Sequence, residues 1–317
     1  MKLLVTRRMT PAAEAAISQR FETTFRDSNT PLTEAEAAQA LAEYDLILPT
    51  LGDGFRGDAF KQGTIRTRLL ANFGVGFNHI DIDAAKAAGI AVTNTPEVVT
   101  DSTAELAVTL LLMTARRAAE GEKLARSGQW EGWHPTQMLG SQVSGRTLGI
   151  IGMGRIGRTI AKKLHHGFDM RVVFFNRSKV SSLDFRARQL PSVAEVMQNA
   201  DFVVIAVPGG TSTHHLIDAA SLEALGPDGI LINIARGDVI DETALIEALS
   251  SGKIRAAGLD VYEHEPKIPP KLRALDNVVL LPHLGTAVEQ TRTEMAMRAL
   301  NNLSAFSSGD PLPDQVA

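Results

Sequence analysis

Three glycines near the middle of the chain have the spacing that phosphate binding needs. Residues 149–157 read Gly-Ile-Ile-Gly-Met-Gly-Arg-Ile-Gly and contain G-x-G-x-x-G at Gly152, Gly154 and Gly157. The pattern alone is common. Here an apolar run at 147–151 leads into it and a helical run follows, so it stands at a strand-to-helix turn. Gly152 permits the tight turn, Gly154 lets the backbone approach a pyrophosphate, and Gly157 lets the helix pack closely on the sheet. The pyrophosphate would rest on the helix N-terminus. About 20 residues onward, NAD sites usually carry an acid for the ribose 2′-hydroxyl. At that place this chain has Asn176-Arg177-Ser178-Lys179. No carboxylate is there to repel a 2′-phosphate, and Arg177, Ser178 and Lys179 are suited to bind one. The reading is a dinucleotide site with NADP(H) preferred and NAD(H) possible, set against the plainer reading of a solvated basic turn.

Arg236, Glu265 and His283 each follow a predicted strand, 29 and 18 residues apart. In an open α/β sheet, ligands bind beyond the carboxyl ends of the strands, so the three are expected to converge. An arginine fork binds a carboxylate and polarises a neighbouring ketone. Histidine serves as a general acid near neutral pH. A glutamate on the other ring nitrogen would fix its tautomer. With a nicotinamide, this is equipment for hydride transfer to a 2-oxo acid, and it needs no metal. Taken singly, each has a plainer reading: Arg236 a surface charge, His283 a helix cap, Glu265 a solvated carboxylate. Glu263 competes with Glu265. The pairs His165-His166 and His214-His215 read as helix-end and loop residues without chemistry.

The elements that must position these groups form two alternating series. In the first, strands are expected at 2–6, 45–49, 69–73 and 90–93, with helices at 11–21, capped by Thr10 and started by Pro11, and at 83–88. A long apolar helix at 100–117 follows, with Arg116 and Arg117 in its last turn. A loop-rich stretch at 128–145 holds both tryptophans, Trp130 and Trp133. In the second series, strands are expected at 147–151, 171–175, 202–207, 229–234, 256–260 and 278–281. Helices are expected at 156–165, 193–199 and 242–250, and a last one at 289–306. Strands alternating with helices imply βαβ units and parallel sheets.

Composition sets the outer bounds. The 317 residues suffice for two domains at about 150 residues each,. Lys plus Arg is 32 and Asp plus Glu is 36, a net charge of −4, so no basic excess points to nucleic acid,. There is no cysteine, which excludes a disulfide scaffold, a thiolate metal site and a thiol nucleophile,. No apolar run approaches the roughly 20 residues of a membrane helix, and the N-terminal one is too short for a signal peptide. No membrane association and a cytoplasmic location are the expectation.

Five ordered motifs carry a family resemblance over nearly the whole chain: Asn72-Phe73-Gly74-Val75-Gly76, the glycine loop, Asn233-Ile234-Ala235-Arg236-Gly237-Asp238, residues 258–266 (Gly-Leu-Asp-Val-Tyr-Glu-His-Glu-Pro) and Leu281-Pro282-His283-Leu284-Gly285. The chain resembles the D-isomer-specific 2-hydroxyacid dehydrogenases, most closely the glyoxylate/hydroxypyruvate reductase branch. The resemblance implies two Rossmann-like doubly wound parallel-sheet domains with a cleft between them. Residues 1–100 plus 288–317 would bind substrate and 101–287 the dinucleotide. It implies NADPH-dependent reduction of a small 2-oxo acid to the D-2-hydroxy acid by a homodimer.

The resemblance assigns the catalytic roles to Arg236, Glu265 and His283, and prefers Glu265 because it directly precedes Pro266. It places cofactor contacts at Thr103, Arg155, Ile156, Val207, Pro208, Thr213, Ile234, Ala235 and Asp260, besides those of the glycine loop and of Asn176, Arg177 and Ser178. Substrate contacts fall at Leu51, at Val75 and Gly76, whose backbone N–H groups would cradle a carboxylate, and at Arg236. Trp133 is either a residue inserted into the neighbouring subunit's site or an ordinary dimer aromatic. The chain departs from the family at Asn78-His79, where relatives often carry Asp-Asn. Two other readings stand beside this one: a broader-specificity D-2-hydroxyacid dehydrogenase, and a dinucleotide-sensing, corepressor-like interaction protein.

Overall fold

Short apolar runs spaced by helices make parallel strands here, because the central strands are buried on both faces and have no room for an alternating polar side,. The computed structural model describes residues 1–317 and divides into two compact units, Met1–Val99 with Thr286–Ala317, and Thr100–Gly285.

The first unit is a five-stranded parallel sheet. Its strands are β1 (Lys2–Val5), β2 (Glu22–Phe25), β3 (Leu46–Leu48), β4 (Leu69–Ala71) and β5 (Ala91–Thr93), in the order β2-β1-β3-β4-β5. Helices Pro11–Ser18, Glu34–Glu43, Ile82–Ala87 and Glu289–Ser308 flank it. Its core includes Leu4, Leu41, Ile47, Phe55, Leu70 and Val92. The last helix packs on β4 and on helix Pro11–Ser18. The C-terminal tail then pairs antiparallel with β5 through Gln315 and Thr93. Asp314 anchors that tail. It accepts hydrogen bonds from Arg298 Nη2 at 2.7 Å and Nε at 3.0 Å, and from Asn302 Nδ2 at 2.9 Å.

The second unit is a seven-stranded parallel sheet. Its strands are β6 (Thr147–Ile151), β7 (Arg171–Phe175), β8 (Ala187–Gln189), β9 (Phe202–Ile205), β10 (Ile230–Asn233), β11 (Ala256–Leu259) and β12 (Val278–Leu280), in the order β12-β11-β10-β9-β6-β7-β8. The chain runs outward from β6 to β8, then returns to β9 on the other side of β6. Strand order therefore reverses between β6 and β9, and such a switch point opens a crevice at the strands' carboxyl ends. Two apolar clusters cover the two faces of the sheet.

Two expectations are corrected. The helix expected at 100–117 ends at Ala115, so Arg116 and Arg117 do not form its last turn. Arg117 turns the chain through a left-handed conformation (φ 53°), and a second helix, Ala118–Ser127, follows. Arg117 pairs with Glu120 of that second helix. The helix expected at 11–21 stops at Ser18, and the residues after it supply the edge strand β2. No helix is long and apolar enough to cross a membrane.

Candidate active site

The glycine loop is shaped by what a side chain would strike. At Gly152 the backbone has φ 101°, and a Cβ there would meet the Ala206 carbonyl oxygen at 2.7 Å and Val207 at 2.9 Å. At Gly157 a Cβ would collide with the Gly152 carbonyl oxygen. These two glycines close the turn between β6, β9 and helix Arg155–Phe168. Gly154 differs, because a Cβ there would meet nothing within 4 Å. It is the N-cap of that helix, and no side chain caps the helix N-terminus. Bare, open backbone at a helix N-terminus fits a pyrophosphate. Arg155 and Ile156 open the helix beside it.

Asn176, just past β7, is tied to this loop. Its Oδ1 accepts from Met153 N at 3.2 Å, and its Nδ2 donates to the Ser178 carbonyl at 3.0 Å. Gln189 on β8 fastens the same turn, donating to the Asn176 and Ser178 carbonyls and accepting from Val180 N. Arg177, Ser178 and Lys179 project from the held turn as exposed side chains. Gln189 is a positioning residue that the sequence reading missed, because nothing in a three-residue polar strand marks it.

Past β9, Val207 and Pro208 begin a loop closed by Thr213, whose hydroxyl donates to the Pro208 carbonyl at 2.8 Å and the Gly210 carbonyl at 3.1 Å. Val207 thus flanks Gly152, while Thr213 spends its hydroxyl on the loop itself.

The ends of β10, β11 and β12 carry the polar groups. Asn233, the last residue of β10, accepts from Ala235 N at 3.0 Å and donates to the Arg236 carbonyl at 2.8 Å. This clasp sets the Ile234-Ala235-Arg236 turn. The next residue, Gly237, packs so tightly on the Tyr262–Glu263 backbone that a Cβ would overlap it. Arg236 donates through Nη1 to the Ala235 carbonyl at 2.7 Å, while its Nε is buried with no hydrogen-bond partner. Burial pushes this guanidinium below its ordinary pKa, opposed by the charges of Glu265 and Asp238. A half-buried cation with a buried, unpartnered Nε calls for an anionic partner,.

After β11, Asp260 accepts from Leu284 N at 2.6 Å and Gly285 N at 2.9 Å, and so holds the turn that follows His283. Burial raises its pKa, against those hydrogen bonds and the nearby His283. Thr103 lies at the same place, since a Cβ on Gly285 would sit 3.4 Å from Asp260 and 3.6 Å from Thr103. Tyr262 is a second missed positioning residue. Its buried hydroxyl donates to the Leu281 carbonyl at 2.9 Å, and burial drives its pKa upward. It thereby joins the chain after β11 to the chain after β12.

Glu265 and His283 meet. Glu265 Oε1 accepts from Tyr262 N at 3.1 Å, and its Oε2 lies 2.8 Å from His283 Nδ1. A carboxylate only accepts, so Nδ1 is the donor to Glu265 and Nε2 is left to face a ligand. The His283 backbone is held left-handed (φ 56°) by the bond from its N–H to the Asp260 carbonyl at 2.9 Å. Such strain in a non-glycine residue collects at functional sites. The side chain stays 28% exposed, so solvent can reload it. Glu263, the competing acid, points elsewhere and pairs with His215. His165 and His166 lie in the last turn of helix Arg155–Phe168, remote in sequence from these strand ends.

In the first unit, Leu51 follows β3 and Val75 follows β4, and both are exposed. Asn72 Nδ2 donates to the Gly74 and Gly76 carbonyls, and Asn94 Nδ2 to the Val75 carbonyl. The loop's carbonyls are thus occupied, while the N–H groups of Val75 and Gly76 make no backbone hydrogen bond. His79, at the point of departure from the family pattern, is buried. In the second unit, Trp133 is 78% exposed.

Comparison with known proteins agrees with this geometry. Residues 108–285 match the profile of the D-isomer specific 2-hydroxyacid dehydrogenase NAD binding domain. A glyoxylate reductase of Pyrococcus horikoshii is 39% identical over 99% of this chain and 95% of its own length. An NADPH-dependent glyoxylate/hydroxypyruvate reductase from Sinorhizobium meliloti, solved with NADP and malonate, superposes with a TM-score of 0.88 at 34% identity, covering 100% of this chain and 96% of that one. The TT0316 protein from Thermus thermophilus reaches a TM-score of 0.92 at 38% identity over the whole of both chains. With the dinucleotide turn, the clasped arginine and the Glu–His pair all in place on such a fold, the chain belongs to the D-isomer specific 2-hydroxyacid dehydrogenase family of oxidoreductases.

Proposed function

We propose that this enzyme reduces a small 2-oxo acid of the glyoxylate or hydroxypyruvate type to the D-2-hydroxy acid, with NADPH as the preferred reductant and NADH as a poorer one. The observation that carries the reading is the Glu265–His283 pair at 2.8 Å, set one strand away from a half-buried arginine whose Nε is buried and unpartnered. The relatives named as glyoxylate reductases support the substrate class.

When bound, the reduced nicotinamide supplies the hydride. Gly152, Gly154, Gly157, Arg155 and Ile156 would hold its pyrophosphate, and Arg177 and Ser178 the 2′-phosphate, on a turn kept in place by Asn176. Val207, Pro208, Thr213, Ile234, Ala235, Thr103 and Asp260 would line the rest of its path. Arg236 binds the substrate carboxylate through its planar fork and polarises the adjacent ketone. His283 Nε2 gives the proton to the ketone oxygen as the hydride reaches the carbon. Acting as the acid, His283 is the imidazolium: Glu265 accepts from Nδ1–H and fixes the ring, and the second proton, on Nε2, is the one given. Arg236 and His283 together supply electrophilic assistance without a metal. Leu51, Val75 and Gly76 are the proposed substrate contacts of the first unit, which would be the substrate-binding domain, and the second unit the dinucleotide-binding one. The exposed aromatics Trp130 and Trp133 support a homodimer. The balance of charge and the absence of a membrane helix support a cytoplasmic enzyme.

The test is a panel of 2-oxo acids assayed with NADPH and NADH in parallel. Glyoxylate and hydroxypyruvate with NADPH should give the highest kcat/KM. A preference for bulky aromatic 2-oxo acids would favour a broad-specificity dehydrogenase. Dinucleotide binding with no turnover on any acid would favour a sensing protein and overturn the proposal.

A further inference from the structure

Two histidine pairs lie outside the site described above, and they differ in what they face. His165-His166 has rings 5.0 Å apart, tilted by 59°, and His165 Nδ1 is engaged by the Met170 carbonyl at 2.7 Å. His214-His215, in the loop after β9, stacks its rings at 3.9 Å and 24°. There the Glu263 carboxylate meets His215 Nε2 at 3.0 Å. One ligand atom from each of His214, His215 and Glu263 lies within 4.8 Å of the other two. We propose that these three side chains bind a divalent transition-metal ion of the Zn²⁺ class, a site separate from the catalytic groups.

The donor set suits that class. Two imidazoles and one carboxylate are ligands zinc takes readily, with water in the fourth position. Tetrahedral bonds of about 2.0–2.2 Å place neighbouring ligand atoms about 3.3–3.6 Å apart. The His215–Glu263 separation of 3.0 Å is a few tenths of an ångström shorter, so the pair opens slightly to admit the ion. His214 is exposed and can rotate its ring into the third position.

The ligands also stand on held backbone. The His215 N–H donates to the Asp238 carbonyl at 2.8 Å. Thr213, two residues earlier, closes its loop on the Pro208 and Gly210 carbonyls. The Glu263 N–H donates to the buried carboxyl of Glu242 at 3.4 Å. Binding needs both imidazoles neutral and the carboxylate ionised, so the ion replaces any proton shared between His215 and Glu263. Once bound, it cross-links the loop after β9 to the turn after β11.

The experiment uses the untagged full-length chain, stripped with a chelator and desalted. It is titrated with Zn²⁺ by calorimetry, and with Co²⁺ while the visible absorption of four-coordinate cobalt is followed. One ion per chain should bind, and amide exchange should slow at residues 210–216 and 262–264. His214→Ala and Glu263→Gln should each weaken binding at least tenfold, since losing even an outer-sphere partner of a metal site costs 10- to 100-fold. Replacing both His165 and His166 by Ala should leave binding unchanged. His214 is exposed, so its variant keeps the test open if Glu263→Gln folds poorly. No stoichiometric binding by the parent chain, or binding that survives His214→Ala, would overturn the proposal. These readouts are taken on metal-free and metal-loaded protein without substrate, so they stand or fall apart from the reductase reading.

Discussion

The two units solve the same topological problem and finish it with opposite chemistry. In each, the first strand lies at a reversal of strand order and runs directly into a helix. The turn after β1 reads Thr6-Arg7-Arg8-Met9-Thr10, and its helix begins with Pro11. Pro11 removes one amide donor, and Glu14 fills the N-terminus from within. Glu14 Oε1 accepts from Met9 N at 2.8 Å and from Arg8 Nε at 2.7 Å. The turn after β6 is bare glycine, with no acid in its first helical turn. Four residues into that helix, at the place corresponding to Glu14, stands Arg158, which donates to the Met153 carbonyl at 3.2 Å. Met9 and Met153 hold the same position ahead of their helices. One N-terminus thus carries its own anion, and the other is left open for a foreign one. The lesson is that a doubly wound sheet supplies a possible anion site at each such turn, and the local sequence decides whether it stays open.

The largest expected effect lies where the comparison puts the chemistry, at the strand ends of the second unit. His283→Ala should lower kcat by roughly 10²- to 10⁴-fold, the usual worth of a positioned general acid. Dinucleotide affinity, measured by fluorescence titration, should barely move. A near-normal kcat would remove His283 from the mechanism and leave the Glu265 pair a structural contact.

Arg177→Ala and Arg158→Glu test the open turn from two sides. Losing a charge-assisted hydrogen bond of roughly 1.5–3 kcal/mol should weaken NADPH by about 10- to 100-fold in the Arg177 variant and leave NADH nearly unchanged. Arg158→Glu copies the first unit's solution into the second. A like charge near the pyrophosphate should weaken both dinucleotides by about tenfold, since 1.4 kcal/mol is a modest repulsion for charges several ångströms apart near a surface. Equal loss of NADH and NADPH in the Arg177 variant would show that its side chain does not read the 2′-phosphate. Undiminished binding in the Arg158 variant would mean that the open N-terminus is not the anion site.

How much of this was legible follows the physics of each element. Strands β6 and β7 and the helices Val193–Asn199 and Glu242–Ser250 fall where the sequence places them, because their apolar runs are bounded by turn residues. Two edge strands, β2 and β8, were not legible, although the edge strands β5 and β12 were. Glu22-Thr23-Thr24-Phe25 and Ala187-Arg188-Gln189 pair on one side only and have no buried run to announce them. Helix Glu34–Glu43 went unread although Thr33 and Glu36 form a capping box, a signal present in the sequence,. In the site, the choice of Glu265 over Glu263 rested on the motif, and the geometry sends the two carboxylates to different histidines. The clasp of Asn233, the strut of Tyr262 and the brace of Gln189 were not legible. Each joins segments through backbone carbonyls, and a carbonyl leaves no mark on the residue type that bears it.

The smallest expected effect tests the closed turn. Glu14→Ala removes the carboxylate that caps the Met9 N–H and faces the positive end of helix Pro11–Ser18. Losing such a cap costs about 1 kcal/mol. The exposed Arg8 pair is left out of that figure, since surface ion pairs contribute little. The hydrogen bond from Arg8, with that from Met9, holds the Glu14 carboxyl below its ordinary 4.5 against the opposing effect of burial. A depressed acid stabilises the fold only while it is ionised. Its contribution is fully present above the unfolded value and fades as pH falls through the folded one. The variant should therefore melt lower than the parent at pH 7, and the gap should narrow below about pH 4.5. Kinetic constants for both cofactors should be unchanged, because this turn is occupied by its own anion. A Tm gap that stays constant down to pH 3 would show that the carboxylate charge is not what closes the turn. A loss of NADPH affinity would show that the first unit's turn, too, is open to a ligand.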